Sequence, residues 1–231
     1  MSPTTKPLVF IISAPSGSGK STLTNELLKL VPNLEFSISY TTRALRGSEQ
    51  NGKHYHFISQ EEFNRMVAAG EFLEYAEVYG KCYGTAREYL RQAGRTGHDL
   101  LLDIDVQGAA QIKRNLTDAI SIFVLPPDRT TLEWRLRNRS EDSDEEIQRR
   151  LLTAKREIEE YDKYDYILIN DKLEKSIERL QAIVLSQRLC RQDRALTEEE
   201  RAIIDRAERL RLANLKEKVQ PIIASFRTPP S

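Results

Sequence analysis

The sequence predicts an α/β fold in which helices cover both faces of a central parallel sheet. Apolar, partly β-branched runs of about five to seven residues alternate with longer helical patterns along most of the chain. Strands that are buried on both faces have such continuous apolar runs, as is typical of a parallel sheet. A segment over residues 34–95, rich in hairpin signals, interrupts the alternation and predicts a small mixed α/β insertion.

The first elements are a strand over residues 8–12 and a helix over residues 21–30. Apolar and polar residues then alternate over residues 34–40, which predicts a single strand. The dipeptide Asn51-Gly52 is a strong hairpin signal, and residues 55–58 form the strand expected to return from it.

Ser59 and Glu62 have the spacing of a capping box, which predicts a helix from there to about residue 69. Apolar runs predict the later strands, at residues 72–78, 100–105, 119–125 and 166–170. The helical pattern predicts the later helices, over residues 87–93, from 108 to about 115, within 128–160 with a break near 140–143, and over 173–191.

The C-terminal segment over residues 196–219 has an amphipathic pattern that predicts one helix. Thr197 and Glu200 provide a capping box at its start. Its apolar face requires a surface, which is either its own domain, a second copy of the chain or a partner that docks there. Residues 228–231 are expected to be disordered.

Composition excludes several classes of protein. The chain has 231 residues with 35 Lys+Arg and 35 Asp+Glu, and this zero net charge argues against a dedicated nucleic-acid-binding domain. The two cysteines, Cys82 and Cys190, have neither a disulfide nor a zinc spacing. No apolar stretch has the length of a secretion signal or a membrane span. We therefore expect a soluble, cytoplasmic protein, either a monomer or a homodimer, that binds neither nucleic acid nor a membrane.

Residues 14–22, APSGSGKST, lie between the first strand and the first helix. Strand, glycine loop with Lys-Ser, then helix is the context of a phosphate-binding loop. Backbone N–H groups from Ser16 to Ser21 would surround phosphate oxygens, Lys20 would reach the β- and γ-phosphates, and the Ser21 hydroxyl would ligate Mg²⁺. Ala14 replaces the first glycine of the general pattern, and its single methyl is not expected to close the loop. The segment predicts binding of a nucleoside triphosphate.

Two acids end the apolar run at residues 100–105. Asp103 is the candidate for the magnesium side, directly or through a water molecule. Asp105 is expected to continue the same strand and to meet a substrate. The alternative is a pair of strand-end acids that form ordinary salt bridges.

The insertion contains a candidate anion site. Arg43 and Arg46 lie among hydroxyl residues, and Tyr55 and Tyr83 follow. One guanidinium group can donate two parallel hydrogen bonds to phosphate oxygens, and tyrosine hydroxyls add neutral donors. One bound anion would satisfy all four side chains.

Glu74 is an acid in an otherwise apolar strand, and Thr85 follows in the next strand. A carboxylate accepts from two adjacent donors, and guanine offers such a pair in N1–H and its exocyclic amine, while Thr85 could donate to the guanine carbonyl. Adenine lacks both of these donors. The alternative is a strand glutamate that faces solvent.

Five arginines surround the acidic break near residues 140–143. Arg135 and Arg139 are four residues apart, hence on one helical face, and Arg150 follows the break. These three are candidates to surround a phosphoryl group when a lid closes. Arg137 and Arg149 are expected to be solvated.

The joint pattern resembles the guanylate kinase family. The motifs that carry the resemblance are APSGSGKST (14–22), SYTTRALRGSEQNGKHYHF (39–57), EFLEYAEVYGKCYGT (71–85), LLLDIDVQG (100–108) and RLRNRSEDSDEEIQRRL (135–151). The resemblance implies a P-loop kinase fold over residues 6–188, with a core (6–33, 96–128 and 157–190), a GMP-binding insertion (34–95) and a helical lid (129–156). Residues 192–231 would be a helical C-terminal extension outside the family core.

The resemblance also implies site residues. Mg²⁺ would be the cofactor, held by Ser21 and Asp103. The catalytic side chains would be Lys20, Arg43, Arg135, Arg139 and Arg150. ATP would lie against Ala14, Pro15, Ser16, Gly17, Ser18, Gly19, Lys20, Ser21 and Thr22, with Asn170 near the adenine. The GMP phosphate would be held by Ser39, Arg43, Arg46, Tyr55 and Tyr83, and the guanine would be read by Glu74, Thr85 and Asp105. Gly84 would also line the GMP site.

The expected reaction is transfer of the γ-phosphoryl of MgATP to GMP, which gives ADP and GDP and supplies guanine nucleotides. A different class of function is open to the fold, since related domains of scaffold proteins bind phosphopeptides with a degraded phosphate loop. A third possibility is a kinase for another small phosphate acceptor. The intact Lys20 and Ser21 argue against the scaffold-type domain. Glu74 and Thr85 argue against a kinase for an acceptor without a base.

Overall fold

The computed structural model describes residues 6–78, 80–139 and 143–227, and for Arg139 only the backbone. The strands are β1 (Val9–Ser13), β2 (Leu34–Ser37), β3 (Tyr40–Thr41), β4 (His56–Phe57), β5 (Phe72–Val78), β6 (Lys81–Ala86), β7 (Asp99–Asp103), β8 (Ile120–Leu125) and β9 (Tyr166–Ile169). The helices are α1 (Lys20–Leu30), α2 (Gln60–Ala68), α3 (Arg87–Thr96), α4 (Val106–Asn115), α5 (Arg129–Arg139), α6 (Asp144–Ile158), α7 (Leu173–Leu189), α8 (Glu198–Glu208) and α9 (Leu212–Arg227).

A five-stranded sheet has the strand order β2-β7-β1-β8-β9. Strand β2 runs parallel to β7, with Leu34 opposite Asp99, and β8 runs parallel to β9, with Ile122 opposite Tyr166. Every residue of β1 and β8 is buried, as continuous apolar runs require when helices cover both faces. The predicted α/β fold with a central parallel sheet is confirmed.

The chain divides into two compact units, one of residues up to 11 with residues 33–120, the other of residues 12–32 with residues from 121 onward. The first unit contains a second, mixed sheet with the strand order β4-β3-β6-β5. Helix α2 packs on it through a small core of Phe63, Met66 and Phe72. The hairpin-rich segment thus forms a mixed α/β element, as its sequence predicts.

In the second unit α1 packs against α7, α5 against α6, and α8 against α7. Ser143 is the N-cap of α6, and its side chain accepts from the Glu146 N–H at 3.3 Å. The predicted break between α5 and α6 is therefore in place, although residues 140–142 lie outside the described residues. No helix among the described residues has the length and apolar character needed to cross a bilayer.

The prediction of a single strand over residues 34–40 is wrong. Leu34–Ser37 pairs with β7 in the five-stranded sheet, whereas Tyr40–Thr41 pairs with β4 and β6 in the second sheet. Alternation of apolar residues has the same period in either sheet, so the pattern could not reveal the change of partner.

The predicted hairpin return at Asn51-Gly52 is also wrong. Gly52 occupies a local turn, with φ of 75° and its N–H bonded to the Tyr55 carbonyl at 2.8 Å. The following strand, β4, then pairs with β3 in the parallel direction. The long connection between β3 and β4 permits this, because a parallel pair needs a crossover and not a tight turn.

The C-terminal segment forms two helices, α8 and α9, instead of the single predicted helix. Between them a turn at Arg209 and Leu210 leads to Arg211, which forms an isolated antiparallel bridge with Tyr166 of β9: Ile167 N–H donates to Leu210 O at 2.9 Å, and Leu212 N–H donates to Asp165 O at 3.2 Å. These bonds satisfy backbone groups at the edge strand of the sheet, and this pairing interrupts the helix. The predicted capping box of Thr197 and Glu200 is confirmed, whereas residues 228–231, which were expected to be disordered, lie outside the described residues.

Candidate functional site

The loop between β1 and α1 has the backbone that its glycines predict. Gly17 and Gly19 both have φ of 89°, where glycine is unstrained. A Cβ on Gly17 would lie 2.8 Å from Leu136 Cδ2, and a Cβ on Gly19 would lie 2.4 Å from Asn170 Nδ2. Both positions therefore require glycine for conformation and for space. The loop ends at the N-terminus of α1, where the helix dipole and N–H groups that have no acceptor within the helix favour an anion.

Asn170 braces this loop. Its side chain is 5% exposed, and its Nδ2 donates to the Ser18 carbonyl at 2.8 Å. The Asn170 carbonyl in turn accepts from Arg135 Nη2 at 3.0 Å. Because the amide is engaged with the loop backbone, its role here is to hold the loop, while a contact with adenine stays a prediction.

Arginines of α5 and α6 lie at the same loop. Within the described residues the Nη1 of Arg135 is buried without a hydrogen-bond partner. Burial lowers the pKa of Arg135, and such an orphaned donor costs about 1–3 kcal/mol, or more when charged, unless an acceptor arrives. Arg150 Nη2 donates to the Ser16 hydroxyl at 2.5 Å. An anionic ligand in the loop would supply the missing acceptor for Arg135. The Arg139 side chain lies outside the described residues.

The other two arginines of this region are solvated, as predicted. Arg137 is 41% exposed and forms ion pairs with Glu133 and Asp144. Arg149 is 61% exposed and pairs with Glu146. Their charges are satisfied on the protein surface.

In the first unit, Arg43 is the centre of the predicted anion site. Its side chain is 9% exposed and lies over the Tyr55 ring, 5.2 Å from the centroid. The rings of Tyr55 and Tyr83 are in edge contact, with centroids 5.8 Å apart. The structure thus brings three of the predicted phosphate-binding side chains together.

Glu49 is a residue of this site that the sequence reasoning missed. Its carboxylate accepts from Arg43 Nη1 at 2.9 Å, from Arg43 Nη2 at 2.8 Å and from the Arg46 N–H at 2.9 Å. The hydrogen bonds from Arg43 lower the pKa of Glu49. The available signal was an acid three residues after Arg46 in a loop expected to be cationic.

Three other residues predicted to bind GMP lie outside this cluster of Arg43, Tyr55 and Tyr83. Arg46 is exposed. Ser39 precedes β3, and its carbonyl accepts from the His56 N–H at 2.9 Å. A Cβ on Gly84 would lie 2.9 Å from the Phe72 ring, so packing alone explains this glycine.

Glu74 and Thr85 face each other across β5 and β6. They are 5% and 0% exposed, and Thr85 Oγ1 donates to Glu74 Oε1 at 2.6 Å. The alternative of a solvent-facing glutamate is therefore wrong. The pKa of Glu74 is raised to about 7: burial raises it most, the hydrogen bond from Thr85 lowers it, and the charge of Asp105 raises it. In this structure the Thr85 hydroxyl is engaged by Glu74.

Asp105 does not continue strand β7, which corrects the expectation from the sequence. It is the N-cap of α4, and its Oδ1 accepts from the Gly108 N–H at 2.9 Å. A Cβ on Gly108 would lie 2.6 Å from Glu74 Oε2, so only glycine lets the start of α4 approach this carboxylate. Gly108 was not predicted as a site residue, although a glycine in the first turn of a helix is an available signal. Asp103, the magnesium candidate, is the half-buried last residue of β7.

Comparison with known proteins identifies the family of this chain. The sequence model of the guanylate kinase family matches residues 5–187. The chain belongs to the guanylate kinase family. The guanylate kinase of Koribacter versatilis is 55% identical over 222 residues, which cover 95% of each chain. That of Syntrophotalea carbinolica is 48% identical over 191 residues, which cover 83% of this chain and 90% of the relative.

A solved guanylate kinase has a similar fold. The crystal structure of guanylate kinase from Anaplasma phagocytophilum matches with a TM-score of 0.64 and 35% identity, covering 78% of this chain and 86% of the other. The part of this chain beyond residue 187 lies outside the family model, whereas the match to the Koribacter versatilis guanylate kinase covers 95% of both chains.

Proposed function

We propose that the chain is an ATP:GMP phosphotransferase, which converts MgATP and GMP to ADP and GDP and so supplies guanine nucleotides. The observation that carries the proposal is Glu74, a buried carboxylate bonded to Thr85 at 2.6 Å. Both residues follow the family pattern, and guanylate kinase relatives match nearly the whole chain. A buried carboxylate is costly unless a partner compensates it, and guanine offers two adjacent donors.

The donor half-site lies in the second unit. Backbone N–H groups from Ser16 to Ser21 and the Lys20 ammonium would hold the triphosphate. The orphaned Nη1 of Arg135 supports the presence of a phosphate oxygen there. Arg150, already at the loop through Ser16, would add a second charge.

The acceptor half-site lies in the first unit. Arg43, Tyr55 and Tyr83 would bind the GMP phosphate, with Ser39 and Arg46 closing on it. Glu74 would accept from guanine N1–H and the exocyclic amine, with Asp105 beside it. A site built for these donors leaves its polar groups unpaired when adenine binds, which is worth about 10⁴-fold in discrimination.

Mg²⁺ belongs to this proposal as the ion bound with ATP. The described residues contain no cluster of three or more His, Cys, Asp or Glu that could hold a metal. This fits a magnesium that relies on nucleotide phosphates and water and uses one or two protein oxygens. The Ser21 hydroxyl and the Asp103 carboxylate are hard oxygen donors of the right kind. When bound, the ion neutralises charge on the β- and γ-phosphate oxygens.

The chemistry of the transfer requires positioning and electrostatics from the chain. The acceptor oxygen of GMP is already ionised, so the step needs no strong general base among the side chains. The loose transition state spreads charge over the equatorial oxygens, which Lys20, Arg135 and Arg150 would stabilise. Motions of the insertion over residues 34–95 and of the lid over residues 129–156, relative to the core, would exclude water. We place the reaction in the cytoplasm.

The test is to supply ATP with GMP, AMP, UMP or TMP and to measure the diphosphate formed. We expect GDP alone; equal conversion of AMP would contradict the reading of Glu74. Lys20→Ala should lose most of kcat with the fold intact, because its charge reaches the transferring phosphoryl. Lys29→Ala is the matched control, since Lys29 is 67% exposed on the same helix. Unchanged turnover in Lys20→Ala would refute the phosphate-loop assignment.

The alternative of a catalytically inactive interaction module finds no support in these observations. Such a module has a degraded phosphate loop, whereas Gly17, Gly19, Lys20 and Ser21 are all present here. The relatives over most of the chain carry the name guanylate kinase.

A further inference from the structure

The C-terminal extension is an integral part of the second unit. Helix α8 packs on α7, and α9 packs on β9, α5 and α6. The apolar face of α9 is buried through Leu215, Val219, Ile222, Ile223 and Phe226. The sequence pattern left three surfaces possible for this apolar face: its own domain, a second copy or a partner. In the structure the face packs on its own unit.

Helix α9 also supplies a hydrogen bond to the start of α5. Ser225 Oγ accepts from the Arg129 N–H at 3.1 Å and donates to the Ile222 carbonyl at 2.6 Å. Arg129 is the first residue of α5, and N–H groups in a first helical turn have no partner within the helix. The Asp128 carboxylate accepts a hydrogen bond from the Thr131 N–H at 2.6 Å. The N-terminus of α5 is therefore held from two sides, and one of them belongs to α9.

Helix α5 connects this bond to the phosphate loop. Leu132 and Leu136 lie against Gly17, where an added Cβ would be 3.1 and 2.8 Å from them. Arg135 Nη2 donates to the Asn170 carbonyl at 3.0 Å. A helix rises about 1.5 Å per residue, so Arg135 lies about 9 Å along α5 from Arg129, on the same hydrogen-bonded element. A shift of the first turn of α5 would consequently move Arg135 relative to the loop.

We propose that Ser225 is a positioning residue for phosphoryl transfer: by fixing the first turn of α5 it sets the place of Arg135 at the phosphate loop. The inference rests on the proposed function, in which Arg135 contacts ATP phosphates. It makes the extension part of the donor half-site. Its effect falls on ATP binding and on the transfer step in which Arg135 acts, and KM for GMP is unaffected because Arg43 and Glu74, the acceptor residues, belong to the other unit.

The test compares three variants of the full-length chain. Ser225→Ala removes the acceptor, Ser225→Thr keeps a hydroxyl, and Lys218→Ala changes an exposed residue of the same helix. We expect Ser225→Ala to lower kcat and to raise KM for ATP, so that kcat/KM for ATP falls by up to about fivefold, the limit set by the free energy of one lost cap, with KM for GMP unchanged. Ser225→Thr should restore the wild-type value, and Lys218→Ala should match it.

A second readout does not depend on activity. Trp134, the only tryptophan of the chain, is 64% exposed on α5. Its emission or its quenching by acrylamide should change in Ser225→Ala without nucleotide and remain unchanged in Lys218→Ala. An unchanged signal in Ser225→Ala would contradict the proposed control of α5.

The remaining outcomes separate the inference from the proposed function. Equal changes of KM for ATP and for GMP, or a lowered Tm with unchanged kinetics, would reduce Ser225 to a structural role and overturn the inference. Arg135→Ala is measured in parallel. If it abolishes transfer while Ser225→Ala is kinetically silent, the inference fails and the proposed function stands. If Arg135→Ala leaves turnover unchanged, the proposed role of Arg135 fails, and the inference with it.

Discussion

Replacement of Glu74 by glutamine should stabilise the protein and disable its recognition of GMP. Glu74 is 5% exposed, and burial raises the pKa of its carboxyl to about 7. Glutamine has nearly the same shape, and its carbonyl still accepts from Thr85. It carries no charge, so the variant avoids the desolvation that the ionised carboxylate suffers in the free protein.

The size and pH dependence of the effect follow from the pKa. A rise from the reference value of 4.5 to about 7 corresponds to about 3 kcal/mol as an order of magnitude. Between pH 4.5 and 7 the Glu74 carboxyl of the wild type is protonated in the folded state and ionised in the unfolded state. The free energy of unfolding therefore falls as the pH rises through this range. The variant has no such loss. Its advantage should be absent below pH 4.5, grow through this interval and reach about 3 kcal/mol above pH 7.

The assay is chemical denaturation of both proteins at several pH values without nucleotide, together with KM for GMP and for ATP at pH 8. We expect KM for GMP to rise at least about a hundredfold and KM for ATP to be unchanged. The NH₂ group of glutamine would face an N–H donor of guanine, so a hydrogen bond to the base is lost. Glu77→Gln, at an exposed position of the same strand, should alter neither quantity. A stability difference between wild type and Glu74→Gln that does not vary with pH would refute the assignment of the raised pKa to Glu74.

Two further predictions concern residues that only the structure revealed. Glu49→Gln should raise KM for GMP about tenfold with KM for ATP unchanged, because an amide cannot hold the Arg43 guanidinium at both of its nitrogens; equal effects on the two substrates in a coupled ADP assay would exclude this role. Gly108→Ala should lower Tm and raise KM for GMP, since its Cβ would lie 2.6 Å from Glu74 Oε2. Gly94→Ala is its control: the nearest atom is 3.9 Å away, so alanine should stabilise α3 by up to about 1 kcal/mol. A Gly108→Ala protein as stable and active as the control would contradict the crowding at Glu74.

Elements that follow from local patterns were predicted closely. Residues 72–78 were predicted as a strand and form β5 with the same limits. Ser59 and Thr197 start helices as N-caps, as predicted, because a cap depends only on residues three positions apart. The errors lie where a partner distant in sequence decides: residues 34–40 split between two sheets, and the C-terminal helix is broken where its chain pairs with β9.

The candidate site divides in the same way. The order and spacing of Gly17, Gly19 and Lys20 predict a phosphate loop, and the structure has the positive φ at both glycines that such a local conformation requires. Glu74 was identified as an acid in an apolar strand, but its raised pKa results from burial and from the charge of Asp105, against the hydrogen bond from Thr85, which lowers it.

The sequence by itself determined the α/β class, the phosphate loop and the family, because these rest on short motifs and on the period of apolar residues. The tertiary structure decided how the motifs are supported. Glu49 holds Arg43, Asn170 holds the Ser18 carbonyl, and Ser225 caps α5 at Arg129. The last two bonds join residues 152 and 96 positions apart. No local pattern encodes such a pair, since only the packing of the helices and strands brings donor and acceptor within hydrogen-bond distance.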